Sequence, residues 1–347
     1  MKQSVKDSFS PLTLGLFALV TAATLVLCVC TGSVNIPINE TVRVLFRAIL
    51  RQAQDDSSAI PIILNVRLPR VLCVLLTGSS LALCGASMQG LLKNSLADGS
   101  TLGVSTGASL GAALAIALGI TLPGIPFAGT MVMAILFAFL SLMIILTLAY
   151  RLDYSLSTNT IILLGVIFSM FVSSILSLVI TFASDKVKNI VFWTMGSLAG
   201  SSYLNALVLF AVLLICGTIL LSLSRELNAF AIGESNARTI GVNVRRTKLV
   251  ILITVSILIG VCVSIGGSIG FVGLVTPHMV RLITGPNHKK LLPACLFGGG
   301  TFLMLCDLVA RVLLRPLELP IGVVTSLIGA VVFVIIYARS RGQWRSR

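Results

Sequence analysis

An all-α, polytopic membrane protein of ten transmembrane helices, arranged as two inverted five-helix halves, is predicted by three observations. The 347 residues are 56% hydrophobic and only 10% charged, with a mean hydropathy of +1.07. Apolar runs of about 20 residues, enough to cross a hydrocarbon core, recur from one end to the other. The basic residues gather in alternate gaps between those runs. A soluble domain of this size is excluded, because too little polar surface is available to cover it. The net charge of +14 belongs to scattered loop residues and acts as a topology determinant, with no nucleic-acid partner implied.

The spans fall near 11–30, 70–91, 100–120, 128–149, 160–183, 204–223, 248–266, 270–284, 291–311 and 321–338. With both termini inside, the inner segments hold 16 of the 25 Lys and Arg residues, as the positive-inside rule requires. Ten spans divide five and five, and an odd number per half makes the halves inverted. The length fits one membrane domain over 1–347.

The first run follows Lys2 and Lys6 and imitates a signal peptide. It is long for such a core, and no clean small-x-small cleavage site follows, so it is read as an uncleaved span. The outer segment 31–69 contains an amphipathic pattern over 41–51, with Val44, Leu45, Ala48 and Ile49 opposed to Arg43, Arg47 and Arg51. That pattern suits a helix lying in the membrane interface. Pro69 suits the first turn of the second span. Arg67 and Arg70, three residues apart, then either project together from the outer surface or snorkel to lipid headgroups.

Gly99, Gly103, Gly107 and Gly111 recur at four-residue spacing in the third span, a pattern that lets helix backbones approach closely. Trp193 is placed at the membrane interface. Residues 264–281 combine several glycines with Pro277, and irregular backbone at membrane depth must face the bundle interior or a cavity. His278 and His288 have no second ligand at metal-binding spacing. Asp307 and Arg311, four apart on one helix face, would neutralise each other. The cysteines (Cys28, Cys30, Cys73, Cys84, Cys216, Cys262, Cys295 and Cys306) all lie in apolar runs and serve as small hydrophobes.

The stretch 225–248 interrupts two long apolar runs. It carries Arg225, Arg238, Arg245, Arg246 and Lys248, which place it in the cytoplasm. Two short helices are predicted there, over 226–232 and 234–240, each followed by a glycine, Gly233 and Gly241, able to stop it. Phe230, Ile232, Ala237 and Ile240 would then stand exposed where no lipid covers them. Such a patch needs a partner.

An energy source is missing from the chain. There is no G-x-x-x-x-G-K-[ST] phosphate loop. The one acidic residue well inside a predicted span is Asp307, which has its own arginine. No protease, zinc or nucleophile–base constellation stands in the spans. Transport driven from outside the chain, through 225–248, accounts for these absences; an ion-coupled secondary transporter is the rival reading.

Several blocks then resemble one family. They are Arg67-Leu-Pro-Arg70, Gly85-Ala-Ser-Met-Gln89, Asn94-Ser-Leu-Ala-Asp98, Leu102-Gly-Val-Ser-Thr-Gly-Ala108, Trp193-Thr-Met-Gly-Ser-Leu198 and Gly233 to Gly241. Gly270-Phe-Val-Gly-Leu-Val-Thr-Pro-His278, Asp307-Leu-Val-Ala-Arg311 and Glu318-Leu-Pro-Ile-Gly322, with Thr325 to Gly329, complete the series. In this order, over about 60–338, they resemble the permease subunits of binding-protein-dependent ABC importers for ferric siderophores, haem and cobalamin. The resemblance implies a pathway formed with a second permease, either the same chain or a paralogue, in a bacterial cytoplasmic membrane. Two separate ATPase subunits, which hold the ATP and magnesium, drive it, and a soluble binding protein feeds it. This chain would bind no cofactor and catalyse nothing.

The resemblance also implies site residues. Phe230, Ile232, Gly233, Glu234, Ala237, Arg238, Ile240 and Gly241 would form the coupling element seated on the ATPase. Arg67, Arg70 and Arg311 would receive glutamates of the binding protein. Asn94, Leu96, Thr158 and Asn159 would lie at the inner gate. The sequence departs from the family pattern at Ser95 and Gly99, where prolines are usual, which leaves that turn more flexible. A ferric siderophore is the substrate expected first.

Overall fold

The apolar runs fold as the helices their length predicts. The computed structural model describes residues 11–34, 36–50, 59–121, 128–154 and 156–345. In chain order the helices are α1 (Pro11–Cys30), α2 (Ile38–Ile49), α3 (Leu68–Leu92), α4 (Val104–Leu118), α5 (Ala128–Leu152), α6 (Thr158–Phe182) and α7 (Val187–Thr194). There follow α8 (Tyr203–Ser222), α9 (Ser224–Ile232), α10 (Glu234–Thr239), α11 (Val244–Gly266), α12 (Val272–Thr284), α13 (His288–Val312) and α14 (Ile321–Arg345). Seven helices among the described residues are long and apolar enough to cross a membrane: α1, α3 with its lead-in, α5, α6, α8, α11 and α13. The shorter α4 and α12, with the apolar part of α14 (Ile321–Ile336), complete the ten expected, and the chain is a multi-pass membrane protein.

Two helices are short for the same reason. Before α4 the chain runs through a 3-10 turn, Gly99–Leu102, and a left-handed Gly103 (φ +69°). Before α12 it leaves α11 through Gly267 (φ +70°), forms no helix over 268–270 and reaches a left-handed Phe271 (φ +67°). Each helix therefore starts inside the bundle. The break before α12 borders a groove of about 430 Å³ against α14, as expected for irregular backbone at membrane depth.

Packing repeats between the halves. Helix α13 lies on α3 as α5 lies on α11, and α12 lies on α3 as α4 lies on α11. The pairs α4–α5 and α12–α13, α4–α6 and α12–α14, and α5–α6 and α13–α14 correspond in the same way. Exchange of α3–α6 with α11–α14 thus preserves the contacts, the pattern of an inverted repeat. The first helix of each half breaks it, since α1 packs on α13 whereas α8 packs on α3 and α11.

Small residues set the closest crossings. A Cβ on Gly107 would lie 1.9 Å from Ser141 Oγ, and one on Gly111 would lie 2.3 Å from the Met133 carbonyl, so both press α4 onto α5 as predicted. Gly99 and Gly103, which belong to the same spacing, stand instead in the turn before the helix. The tightest crossing is α3 on α12, where a Cβ on Gly85 would lie 1.8 Å from the Gly273 carbonyl oxygen. Gly85→Val is expected to cost about 1–3 kcal/mol by forcing the backbones apart, read as a lowered melting temperature in nanodiscs.

Pro69 stands in the first turn of α3, as predicted, but that turn is not a free helix end. A helical turn, Ala59–Pro61, and a π-helical stretch, Ile62–Arg67, precede it, and the wider π turn accommodates the missing N–H and the ring. Helix α2 turns Thr41 and Val44 inward and leaves Ile38, Val42 and Phe46 exposed along one side; Arg51 lies outside the described residues. Trp193 is half-buried against the core. All eight cysteines are buried and unpaired.

Candidate functional site

At one end of the bundle α9 and α10 form a compact knob joined by Gly233, whose φ of +131° favours glycine. The two helices match the sequence expectation, but two of the four apolar side chains do not point outward. Phe230 and Ala237 are both fully buried, whereas Ile232 and Ile240 are 71% and 68% exposed. The correction has a plain cause. Leu227 and Phe230 stand three apart on the face of α9 that the bundle covers, and Leu227 packs beside Gly90 of α3. So Leu227, Phe230 and Ala237 seat the knob, and Ile232 and Ile240 are what it offers. Arg225, Arg238 and Arg246 are also exposed, and Gly241 (φ +90°) follows the second helix.

Hydrogen bonds fix the seat. Asn228 Oδ1 accepts from the backbone N–H and from Nδ1 of His288, both at 2.8 Å, and its Nδ2 donates to Asn287 Oδ1 at 2.9 Å. These tie α9 to the start of α13. On the other side Lys248 is 1% exposed. Its Nζ donates to the Leu156 carbonyl at 2.7 Å and lies 2.8 Å from Glu234 Oε1. Sequence reasoning counted Lys248 as a loop charge. The signal was there: it lies in helical register with Val244, Ile251, Leu252 and Val255, all buried.

The expected gate residues occupy two turns at this end. Asn94 Oδ1 accepts from the Leu96 N–H at 2.9 Å, and the Leu96 side chain is exposed. Thr158 and Asn159 begin α6, capped by Ser157, whose Oγ accepts from the Thr160 N–H at 3.4 Å. Asp153 Oδ2 accepts from the Ser157 N–H at 3.0 Å and from Thr160 Oγ1 at 3.1 Å, which stiffens the turn.

The opposite end holds the arginines, and for Arg67 and Arg70 neither projection from the surface nor snorkelling to headgroups describes what is seen. Arg67, Arg70 and Arg311 are all buried. Arg70 donates through Nε and Nη2 to Asp307 Oδ1 at 3.1 and 2.9 Å, and through Nη1 to Glu318 Oε2 at 2.7 Å. Arg311 Nε lies 2.9 Å from Asp307 Oδ2, the predicted pair, while its terminal nitrogens donate to the Cys28 and Thr31 carbonyls at 3.1–3.2 Å. Arg67 donates to the Val29 and Cys30 carbonyls at 3.2 Å and to that of Val34.

The reason lies in α1. It ends without a basic residue in its last turn, so its final carbonyls need donors from elsewhere. Arg67 and Arg311 supply them. Three guanidinium groups thus share two carboxylates and the end of a helix. Of these side chains Glu318, 30% exposed, is the one that reaches solvent appreciably.

Comparison with known proteins gives a consistent answer. Residues 19–339 match the FecCD transport family. The chain is 42% identical to YvrB of Bacillus subtilis, an uncharacterized ABC transporter permease protein, over 94% of this chain and 93% of that one. It is 36% identical to MolB, a molybdate import system permease protein of Haemophilus influenzae, over 97% and 98%. Further relatives carry names for vitamin B12 and hemin transport. A solved transporter assigned to the metal-chelate type, in an inward-facing conformation, superposes with a TM-score of 0.83 at 34% identity, covering 95% of this chain and all of that one. The chain belongs to the FecCD transport family and is an ABC importer permease.

Proposed function

We propose that this permease carries a bulky metal chelate, a ferric siderophore foremost and haem or cobalamin next, across a bacterial cytoplasmic membrane. The α9–α10 knob and both termini lie on the cytoplasmic side and the arginine cluster lies outside. A second permease subunit completes the pathway, two ATPase subunits supply the energy and a soluble binding protein delivers the solute. The chain itself binds no nucleotide and no metal cofactor.

The observation that carries the reading is the knob. Two exposed isoleucines and the exposed Arg225 and Arg238 stand on or beside short helices that are locked to the bundle from beneath. A partner gripping Ile232 and Ile240 moves what Asn228 and Lys248 hold. Asn94, Leu96, Thr158 and Asn159, at the same end, then open or close the inner mouth. Docking of the binding protein runs through Arg70, whose partner Glu318 is partly exposed and can yield to a carboxylate of the binding protein. Arg67 and Arg311 act from behind, by holding α1.

The groove beside the α12 break supports the chelate. It is lined by Thr194, Met195, Ser268, Phe271, Ser326 and neighbouring small or apolar residues, none of them charged. Such walls suit a large solute with apolar and carbonyl groups, because binding sites pair apolar walls with a few placed polar groups. The full-length likeness to a molybdate permease favours that oxyanion as a second reading, which the lack of a cation in the groove weakens.

The test is uptake by the complete complex in proteoliposomes with its binding protein. ATP-driven entry of radiolabelled iron as a hydroxamate or catecholate chelate is expected, with unlabelled molybdate failing to compete. Molybdate entry without iron entry would replace the substrate. Uptake driven by a proton or sodium gradient without ATP would sink the importer mechanism.

A further inference from the structure

The buried lysine under the knob does more than fill space. An ammonium group withdrawn from water is retained only where charged or polar partners replace the water, and an apolar side chain would pack α11 more simply. Lys248 spends its donors on two separate elements: the Glu234 carboxylate, which opens α10 and is 29% exposed, and the carbonyl of Leu156 in the α5–α6 turn. Leu156 is itself buried and held at φ +51°, a conformation disfavoured for a branched side chain. Its carbonyl oxygen accepts from the ammonium.

The turn beyond it is stiff and short. Leu156 adjoins Ser157, the cap of α6, which is braced by Asp153; Thr158 and Asn159 come next. A second contact runs parallel to the first. The Arg245 guanidinium, one turn before Lys248, stacks on the rings of Tyr154 and Tyr150, with its carbon 3.9 and 4.7 Å from their centroids. The first two turns of α11 are therefore fastened both to the knob and to the α5–α6 turn.

We propose that Lys248 is a positioning residue that passes displacement of α10, received at Glu234, to the α5–α6 turn and so to Thr158 and Asn159 at the mouth of α6. The inference rests on the coupling role proposed above and names the link by which that role reaches the gate. Asn228 is the corresponding tie on the α9 side, and it leads to α13. The knob thus pulls on both halves of the bundle through separate polar links. Through Lys248, release of Glu234 frees the ammonium to relax, and the Leu156 carbonyl loses its donor.

Hydrogen exchange on the full chain in lipid nanodiscs tests the link without any partner. Glu234→Gln removes the carboxylate from a half-buried position. It is expected to speed exchange over 150–161 by about tenfold, the scale of one charge-assisted hydrogen bond, although Glu234 makes no hydrogen bond to that turn among the described residues. Lys248→Met should do the same, and the double variant no more than Lys248→Met alone. Unchanged exchange over 150–161 in Glu234→Gln, with loosening confined to 234–243, overturns the proposal even if Lys248→Met fails to fold. In the complex with its ATPase subunits, Glu234→Gln should lower the solute moved per ATP hydrolysed. A normal ratio alongside faster exchange would overturn the transmission. A wild-type complex that moves nothing on ATP would instead overturn the coupling reading beneath it.

Discussion

Asp307→Asn is expected to destabilise the protein by about 3–5 kcal/mol, the cost of leaving buried charges without their partner. Asp307 receives two donors from Arg70 on one oxygen and lies 2.9 Å from Arg311 with the other. The amide keeps the shape and removes the charge, and its own N–H groups would then face guanidinium donors. Arg70 would retain Glu318, but Arg311 would keep only carbonyl oxygens. Because Arg311 also holds the Cys28 and Thr31 carbonyls at the end of α1, the damage would spread beyond one pair. Thermal unfolding in nanodiscs checks this. Glu318→Gln is the control, since that carboxylate is partly solvated and its loss should cost under about 1 kcal/mol. Equal melting temperatures for Asp307→Asn and wild type would show that the cluster does not hold this end together.

The second large effect separates the seat of the knob from its contact surface. Phe230→Ala is expected to cost about 3–5 kcal/mol, because a fully buried phenyl ring is lost from the packed core. Ile232→Asp should leave stability within about 0.5 kcal/mol, as exposed substitutions usually do. It should nevertheless weaken ATPase association by about thirtyfold, the scale of a central interface residue worth about 2 kcal/mol. Ile240→Asp should behave alike. Melting curves and co-purification with the ATPase subunits distinguish the two classes. Full retention of the ATPases by the Ile232→Asp, Ile240→Asp double variant would remove the knob from the interface.

Much of this architecture was legible in the sequence, because span length and glycine spacing are local properties. The ten helices, the break before α12, the press of Gly107 and Gly111 on α5, and the two short helices around Gly233 needed no knowledge of distant residues. What was missed depends on distance. Arg70 and Asp307 are separated by 237 positions, and nothing near Arg70 announces a carboxylate. The demand that draws Arg67 and Arg311 inward comes from carbonyls, which every residue has. Phe230 and Ala237 were misplaced because two turns of helix are too few for periodicity to say which side a neighbour covers. Lys248 could have been caught by its register in α11, had its charge not suited the loop so well.

The burial of all eight thiols has a practical side. A maleimide or spin label that cannot enter the packed bundle should find no ready target on the native chain, so a cysteine placed at Ile232, Leu96 or Asn159 would be the site that reports. Distances between the knob and the turns that hold Leu96 and Asn159 can then be followed through an ATP cycle without first stripping the protein of its own cysteines. The chain supplies its own silent background.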